Sequence, residues 1–253
     1  MRRVLITGAS RGIGRAAASA FAARGDRVAV HYARDRAAAE QTLQALPGSG
    51  HVIVAGDLTD PDAAQRIASD TVQALGGIDV LVNNAGMAPT PGNAHRVAEV
   101  EAAQWQQVWQ HMLEVNVLGP VHLTYAVARH LIARGAPGHI VNVGSRGAFR
   151  GEPDYPAYGA SKAALQAFGQ SMAIALAPHG ISVASVAPGF VRTERQEAKL
   201  AAPEGDTLRA ESPFGRVGTP DEIAAAIVYL ASPQATWASG AILDLNGASY
   251  LRP

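Results

Sequence analysis

The chain contains no cysteine, which excludes disulfides, thiolate catalysis and Cys-ligated zinc or iron–sulfur centres. It has no excess of charge either. The 21 Lys and Arg balance 21 Asp and Glu, so the basic footprint that a nucleic-acid partner requires is missing. No apolar run approaches the ~18 residues of a membrane span. The opening residues MRRVLITGAS enter a strand directly, without the roughly 7–15-residue apolar segment of a secretory signal. These absences predict a cytoplasmic protein with a small-molecule substrate and no nucleic-acid or membrane partner. The eight histidines show no metal-ligand spacing, so no metal site is expected and none of them is given a role.

What is present is a chain of 253 residues with 48% hydrophobic content, enough to bury one full core. Its 26 glycines and 15 prolines punctuate rather than cluster, so no linker divides it and a single domain over 1–253 is expected. Short apolar runs (Val4–Ile6, Val28–Val30, Val52–Val54, Val80–Val82, His139–Val143, Ile181–Val186, Ala241–Leu245) alternate with helical stretches. Strands this short and continuously apolar suit a sheet covered on both faces. The alternation predicts an α/β fold, a doubly wound parallel sheet of about seven strands with helices on both faces. Gly25 stands at a helix C-terminus. A long helix is read over Val97–Arg134, interrupted near Asn116 and Gly119-Pro120. Thr219-Pro220 marks a helix start, with Thr as N-cap.

The first strand ends in Thr7-Gly8-Ala9-Ser10-Arg11-Gly12-Ile13-Gly14. Glycines between a strand and its helix let the backbone approach a pyrophosphate, which the helix N-terminus favours electrostatically. The spacing Gly8-x3-Gly12-x-Gly14 departs from the common GxGxxG, and a tight structural turn is the competing reading. Other strand ends favour a dinucleotide: Asp57 can accept from an adenine amine, and the turn Asn83-Asn84-Ala85-Gly86 leaves room beside a ribose. Strand two ends in His31 and Tyr32 rather than the Asp or Glu that holds ribose hydroxyls in NAD sites, with Arg34 just beyond. Arg11 and Arg34 aimed at one 2′-phosphate point to NADP(H) over NAD(H). The alternative is that Arg34 is a solvated residue paired with Asp35.

Tyr158 and Lys162 stand four positions apart, one turn along one helix face. An ammonium beside a phenol favours the phenolate and lowers its pKa from about 10, which makes a tyrosine useful in proton transfer. Most such pairs are solvated helix faces, so the rest of the chain decides.

That company is distinctive. TGASRGIG at Thr7–Gly14, Asp57-Leu58, NNAG at Asn83–Gly86, Asn116, Ser145, YGASK at Tyr158–Lys162 and PGFVRT at Pro188–Thr193 occur in this order, with Ser145 thirteen positions before Tyr158. In this combination the chain resembles the short-chain dehydrogenase/reductase family over essentially its whole length. Within it, VHYARDRAAAE and SPFGRVGTPDEIA are most similar to the 3-oxoacyl-thioester (acyl-carrier-protein) reductase branch. The resemblance implies a Rossmann-like domain with a cofactor-binding half over 1–95, a catalytic half over 96–253 and a substrate lid over 190–219.

It also implies a division of labour. Tyr158 would exchange the proton with the substrate oxygen, and Ser145 would hold that oxygen. Lys162 would lower the Tyr158 pKa and bind the nicotinamide ribose, while Asn116 would hold a relay water. Gly8, Ser10, Arg11, Gly12, Ile13, Gly14, Arg34, Asp57, Leu58, Asn84, Ala85, Gly86, Pro188, Gly189, Val191 and Thr193 would line the NADP(H) site with Tyr158 and Lys162. Asn83 is read as structural. The reaction implied is hydride transfer between nicotinamide and a ketone or secondary alcohol, with a 3-oxoacyl thioester or other β-keto substrate. The alternatives are a sugar, polyol or other secondary-alcohol dehydrogenase, and a non-catalytic dinucleotide-binding regulator. A homotetramer, or a homodimer, is expected. Two features depart from the branch: the longer stretch 87–101, and Trp105, an aromatic before the more typical Trp109. Near the pocket, Arg146, Glu152, Asp154, Tyr155 and Phe190 would give an unusually charged rim. In that rim an Arg146–Glu152 pair is expected, with a substrate carboxylate on Arg146 as the alternative.

Overall fold

The short apolar runs become seven parallel strands, ordered β3-β2-β1-β4-β5-β6-β7. The computed structural model describes residues 1–252, so only the last residue of the expected single unit, Pro253, lies outside it. The strands are β1 (Arg3–Ile6), β2 (Arg27–Tyr32), β3 (Val52–Ala55), β4 (Val80–Asn83), β5 (Gly138–Val143), β6 (Ile181–Pro188) and β7 (Ile242–Leu245). Successive residues on each strand feed opposite faces, as the pleat requires. Val4, Ile6, Val80 and Val82 join one core, whereas Leu5, Leu81 and Ile140 join the other. Strands with both faces covered read as unbroken hydrophobic runs for this reason.

The helices are α1 (Gly12–Ala22), α2 (Arg36–Ala45), α3 (Pro61–Leu75), α4 (Ala102–Leu113), α5 (Gly119–Ala133), α6 (Gly147–Arg150), α7 (Pro156–Leu176), α8 (Glu197–Ala201), α9 (Glu204–Ala210) and α10 (Pro220–Leu230). Helices α1 and α10 cover one face of the sheet, where Phe21 and Ile227 are fully buried. Helices α3 and α5 cover the other, where Ile67 and Leu123 are fully buried. Helix α10 starts as its sequence dictates: Thr219 and Glu222 form a capping box around Pro220.

The helix expected over 97–134 starts later, since residues 97–101 lie outside any helix, and it is interrupted where expected: a π turn over Glu114–Leu118 separates α4 from α5. The turn preceding α4 is held because Arg96 is drawn to Asp154, with Nε and Nη2 at 2.7 and 3.0 Å from the two carboxylate oxygens. The π turn falls where Pro120 cannot donate to the carbonyl of Asn116.

The strand order reverses at β1, with β2 on one side and β4 on the other. Ile6 pairs with Val30 on β2 and Val82 on β4. The chain therefore leaves the carboxyl ends of β1 and β4 in opposite directions and opens a crevice there, the usual ligand position of an open parallel sheet.

Candidate active site

A cleft of about 600 Å³ occupies that crevice. Its floor is the glycine loop between β1 and α1. Gly8 and Gly12 have φ of +63° and +55°, a region that side chains rarely adopt. Gly14 lies off the cleft wall and is needed for a different reason, since a Cβ there would stand 2.4 Å from the Gly8 carbonyl oxygen. Only glycine lets α1 start this close to β1.

Polar side chains from neighbouring strand ends fix the loop. Thr7 Oγ1 accepts from the amides of Asn84 and Ala85, both at 2.9 Å. Asn84 Nδ2 donates to the carbonyls of Thr7 and Gly8 at 2.8 and 3.1 Å, so its amide group is committed to the loop. Asn83 is structural as expected, donating to Asn142 at 2.9 Å and Thr124 at 3.0 Å.

His31, which carries no signal of a role in the sequence, is also part of the site. It lies on the cleft wall, its Nδ1 accepts from Gly8 N at 3.2 Å, and its Nε2 is 3.0 Å from the Gly56 carbonyl. Burial lowers its pKa to about 4. A neutral ring with the proton on Nε2 satisfies both bonds.

Two carboxylates meet this loop. Asp57 Oδ1 accepts from the Thr59 amide and hydroxyl at 3.1 and 2.9 Å, which lowers its pKa. Glu194 reaches across from the segment after β6. It accepts from Gly12 N at 3.0 Å and pairs with Arg15 at 3.3 Å, so it sits on the N-terminus of α1. The sequence offered one signal for Glu194, its position next to Thr193 of the PGFVRT run.

Ser145, Tyr158 and Lys162 line the same cleft. Ser145 follows β5 and its Oγ accepts from Gly147 N at 3.0 Å. Tyr158 stands in the first turn of α7. Burial raises the phenol above its ordinary pKa, opposed by a hydrogen bond to Ser145. This corrects the expectation that Lys162 lowers it: the ammonium instead donates to the Val143 carbonyl at 2.9 Å. Lys162 is buried, and desolvation lowers its own pKa to about 8.

Asn116 lies off the wall. Its side chain pins the loop after β4, accepting from Met87 N at 2.7 Å and donating to Met87 O at 3.1 Å and Ser161 Oγ at 3.0 Å. A Cβ at Gly86 would fall 3.1 Å from Asn116 Oδ1 and 3.3 Å from Lys162 Nζ. The space beside the lysine is therefore kept open by a missing side chain.

The remaining residues expected at the cofactor site (Ser10, Arg11, Ile13, Leu58, Ala85, Pro188, Gly189, Val191 and Thr193) lie on the cleft wall, and Arg34 does not. Arg11 pairs with Asp35, and Arg34 is 85% exposed and 3.6 Å from Asp57. Arg34 thus pairs with Asp57 rather than with Asp35.

The outer part of the cleft is charged. Arg146 is buried, not on the rim, and pairs with Glu211 and Ser249 rather than with Glu152. Arg150 joins the same carboxylate at 3.2 Å. The long 87–101 stretch packs against the approach to Tyr158. His95 is fully buried, accepts from Ala157 N at 3.0 Å on Nε2, and stacks edge-on with Trp105 and Tyr155. It is a second histidine with a role that the sequence did not disclose.

The family model described as Enoyl-(Acyl carrier protein) reductase matches residues 8–247. The chain belongs to the short-chain dehydrogenase/reductase family. It is 36% identical to an L-rhamnose 1-dehydrogenase (NAD(P)(+)) of a Sphingomonas species, covering 99% of this chain and 96% of that protein. It is equally 36% identical to the 3-oxoacyl-(acyl-carrier-protein) reductase of Vibrio cholerae, covering 98% and 96%. A short-chain dehydrogenase of Burkholderia cenocepacia, solved in complex with NADP, superposes with a TM-score of 0.85 at 30% identity, covering 98% of this chain and 97% of that one.

As a member of this family the protein is an oxidoreductase. No helix among the described residues is long and apolar enough to cross a membrane. No cluster of three or more His, Asp or Glu that could hold a metal ion occurs among them.

Proposed function

We propose that the protein transfers hydride between NADP(H) and a ketone or secondary alcohol, with Tyr158 as proton donor and acceptor. The observation that carries this reading is the meeting of Ser145, Tyr158 and Lys162 in one cleft with the glycine loop. The cleft fits a dinucleotide: positive-φ glycines and the N-terminus of α1 suit a pyrophosphate, and bare Gly86 leaves space beside Lys162 for a ribose. When bound, the nicotinamide supplies or accepts the hydride; the protein supplies orientation and proton handling.

A phenol kept protonated by burial is poised to donate in the reductive direction. Ser145, whose Oγ accepts from Gly147 N, can turn its hydrogen from the Tyr158 phenol to the substrate oxygen. Lys162, held by its bond to Val143, offers its remaining donors to the ribose. The Asn116 side chain is fully occupied, so a relay water would bind its main-chain carbonyl, which Pro120 deprives of an i+4 donor. Thr193 and the backbone at Val191 would hold the nicotinamide carboxamide.

The preference for NADP(H) over NAD(H) rests on the cations Arg11 and Arg34 and on the lack of an acidic residue at the end of β2. A bound 2′-phosphate would have to displace their present carboxylate partners. Phe190, Arg195, Lys199 and Glu211 bring the 190–219 segment over the cleft, which supports its reading as a substrate lid. A homotetramer would cover Leu118, Tyr125 and Ile174, exposed by 47%, 67% and 80%. A monomer by light scattering at micromolar concentration would rule that out.

The named relatives act on a sugar and on a 3-oxoacyl thioester, and both classes carry the oxygen this site requires. Cofactor turnover across β-keto thioesters, β-keto esters, sugars and aryl ketones, assayed in both directions, tests the reading. Turnover of at least one class is expected; its absence in all of them would contradict it.

A further inference from the structure

Every acidic side chain on the cleft wall but one has a polar partner among the described residues. Asp57 bonds Thr59, Glu194 bonds Gly12 and Arg15, and Glu211 bonds Arg146 and Arg150. Glu152 is the exception: it lines the cleft and is half-buried, yet its carboxylate makes no hydrogen bond or ion pair among those residues.

Its position is fixed by two glycines. A Cβ at Gly147 would stand 2.7 Å from Glu152 Oε1, and one at Gly159 would stand 3.7 Å from its Cγ. Gly147 follows Ser145 by two residues and Gly159 follows Tyr158 by one. The carboxylate is therefore wedged between the two elements that present the reacting groups, close enough for its charge to act on the Tyr158 phenol.

The cations facing Glu152, Arg146 and Arg150 beside α6, are committed to Glu211, and Asp154 on its own loop is drawn to Arg96. The Glu152 oxygens face the cleft, where water can serve them, so a ligand that displaces this water from a half-buried carboxylate incurs a cost unless it supplies donors of its own. An apolar acyl tail would worsen that cost. A cationic ligand is disfavoured as well, because Arg195 and Lys199 on the same wall lack acidic partners among the described residues. Neutral hydroxyl groups satisfy both conditions, since they donate to Glu152 and accept from the cations.

We propose that Glu152 is the specificity-determining residue of the site, accepting hydrogen bonds from hydroxyls next to the reacting carbon, and that the substrate is a polyhydroxylated compound, a sugar or alditol. This rests on the oxidoreductase reading above and narrows it.

The test compares wild type with Glu152→Gln on six-carbon alditols and aldoses with NADP⁺, and on ethyl acetoacetate and acetoacetyl-CoA with NADPH. Glu152→Gln is expected to lower kcat/KM on the polyhydroxylated substrate by roughly 10- to 100-fold more than on ethyl acetoacetate, as loss of a hydrogen bond to a charged group would. A deoxy analogue lacking the neighbouring hydroxyl should cost wild type a similar factor and the variant little, a coupling that a purely structural residue would not show. Glu152→Asp should recover part of the loss. A thermal melt and cofactor binding check that each variant is folded.

Equal losses on both substrate classes, no loss on either, or turnover of the thioester alone would overturn the proposal. In those cases Tyr158-dependent turnover of the keto substrates would leave the oxidoreductase reading standing. No cofactor turnover with any substrate would overturn both.

Discussion

Lys162 donates to the carbonyl of Val143 at 2.9 Å, tying the first half of α7 to the end of β5. The bond holds a buried ammonium at the base of the cleft, and desolvation brings its pKa down to about 8. The lysine is thus a costly charge retained for function, and the stability of the fold should register it.

The first prediction follows from linkage. Between about pH 8 and its ordinary pKa of 10.5, the folded lysine binds fewer protons than the unfolded one. Its penalty is therefore full at neutral pH and relieved as pH rises through that window. Lys162→Met, which keeps volume without charge, should be inactive. It should also melt at higher temperature than wild type near pH 7, with the gap closing toward pH 10. A constant gap across that range would show that desolvation is not the cause.

A second prediction concerns His95, which caps α7 one residue before Tyr158 by accepting from Ala157 N. His95→Ala removes the cap and a buried ring, and should cost about 1–3 kcal/mol in urea unfolding. Because it also loosens the first turn of α7, kcat should fall more than KM rises. Unchanged kcat with lowered stability would make the 87–101 stretch a support without influence on the site.

Arg34→Ala and Arg11→Ala address the cofactor. Each should lower the preference for NADPH over NADH by roughly tenfold or more, read as a ratio of kcat/KM, because a hydrogen-bonded charge pair is lost. NADH kinetics should hardly change. Equal efficiency of the two cofactors in wild type would remove the basis for the preference.

Much of this site is legible in the sequence because it is built from local signals. Thr219, Pro220 and Glu222 announce the start of α10, and Gly119-Pro120 announces the broken helix at Asn116. The glycine spacing of 8–14 is fixed by close backbone approach, so it too can be read locally. What could not be read are the partners. Glu194 finds Gly12 across 182 residues, Arg146 finds Glu211 across 65, and His95 finds Ala157 across 62. No periodicity or cap encodes such pairings; they follow from how loops at one edge of the sheet converge. The same holds for the Tyr158 phenol. Spacing alone placed Lys162 on its face, but the fold turns the ammonium toward β5 and leaves burial to set the pKa.

The most direct measurement is turnover by Tyr158→Phe, read as NADPH consumption with the best substrate of the screen, alongside NADPH binding followed by nucleotide fluorescence. Removing only the hydroxyl should cost about 10²–10⁴-fold in kcat, the usual worth of a positioned proton donor, while NADPH affinity stays within a few-fold of wild type. Undiminished turnover in this variant would contradict the assignment of Tyr158 as the proton donor.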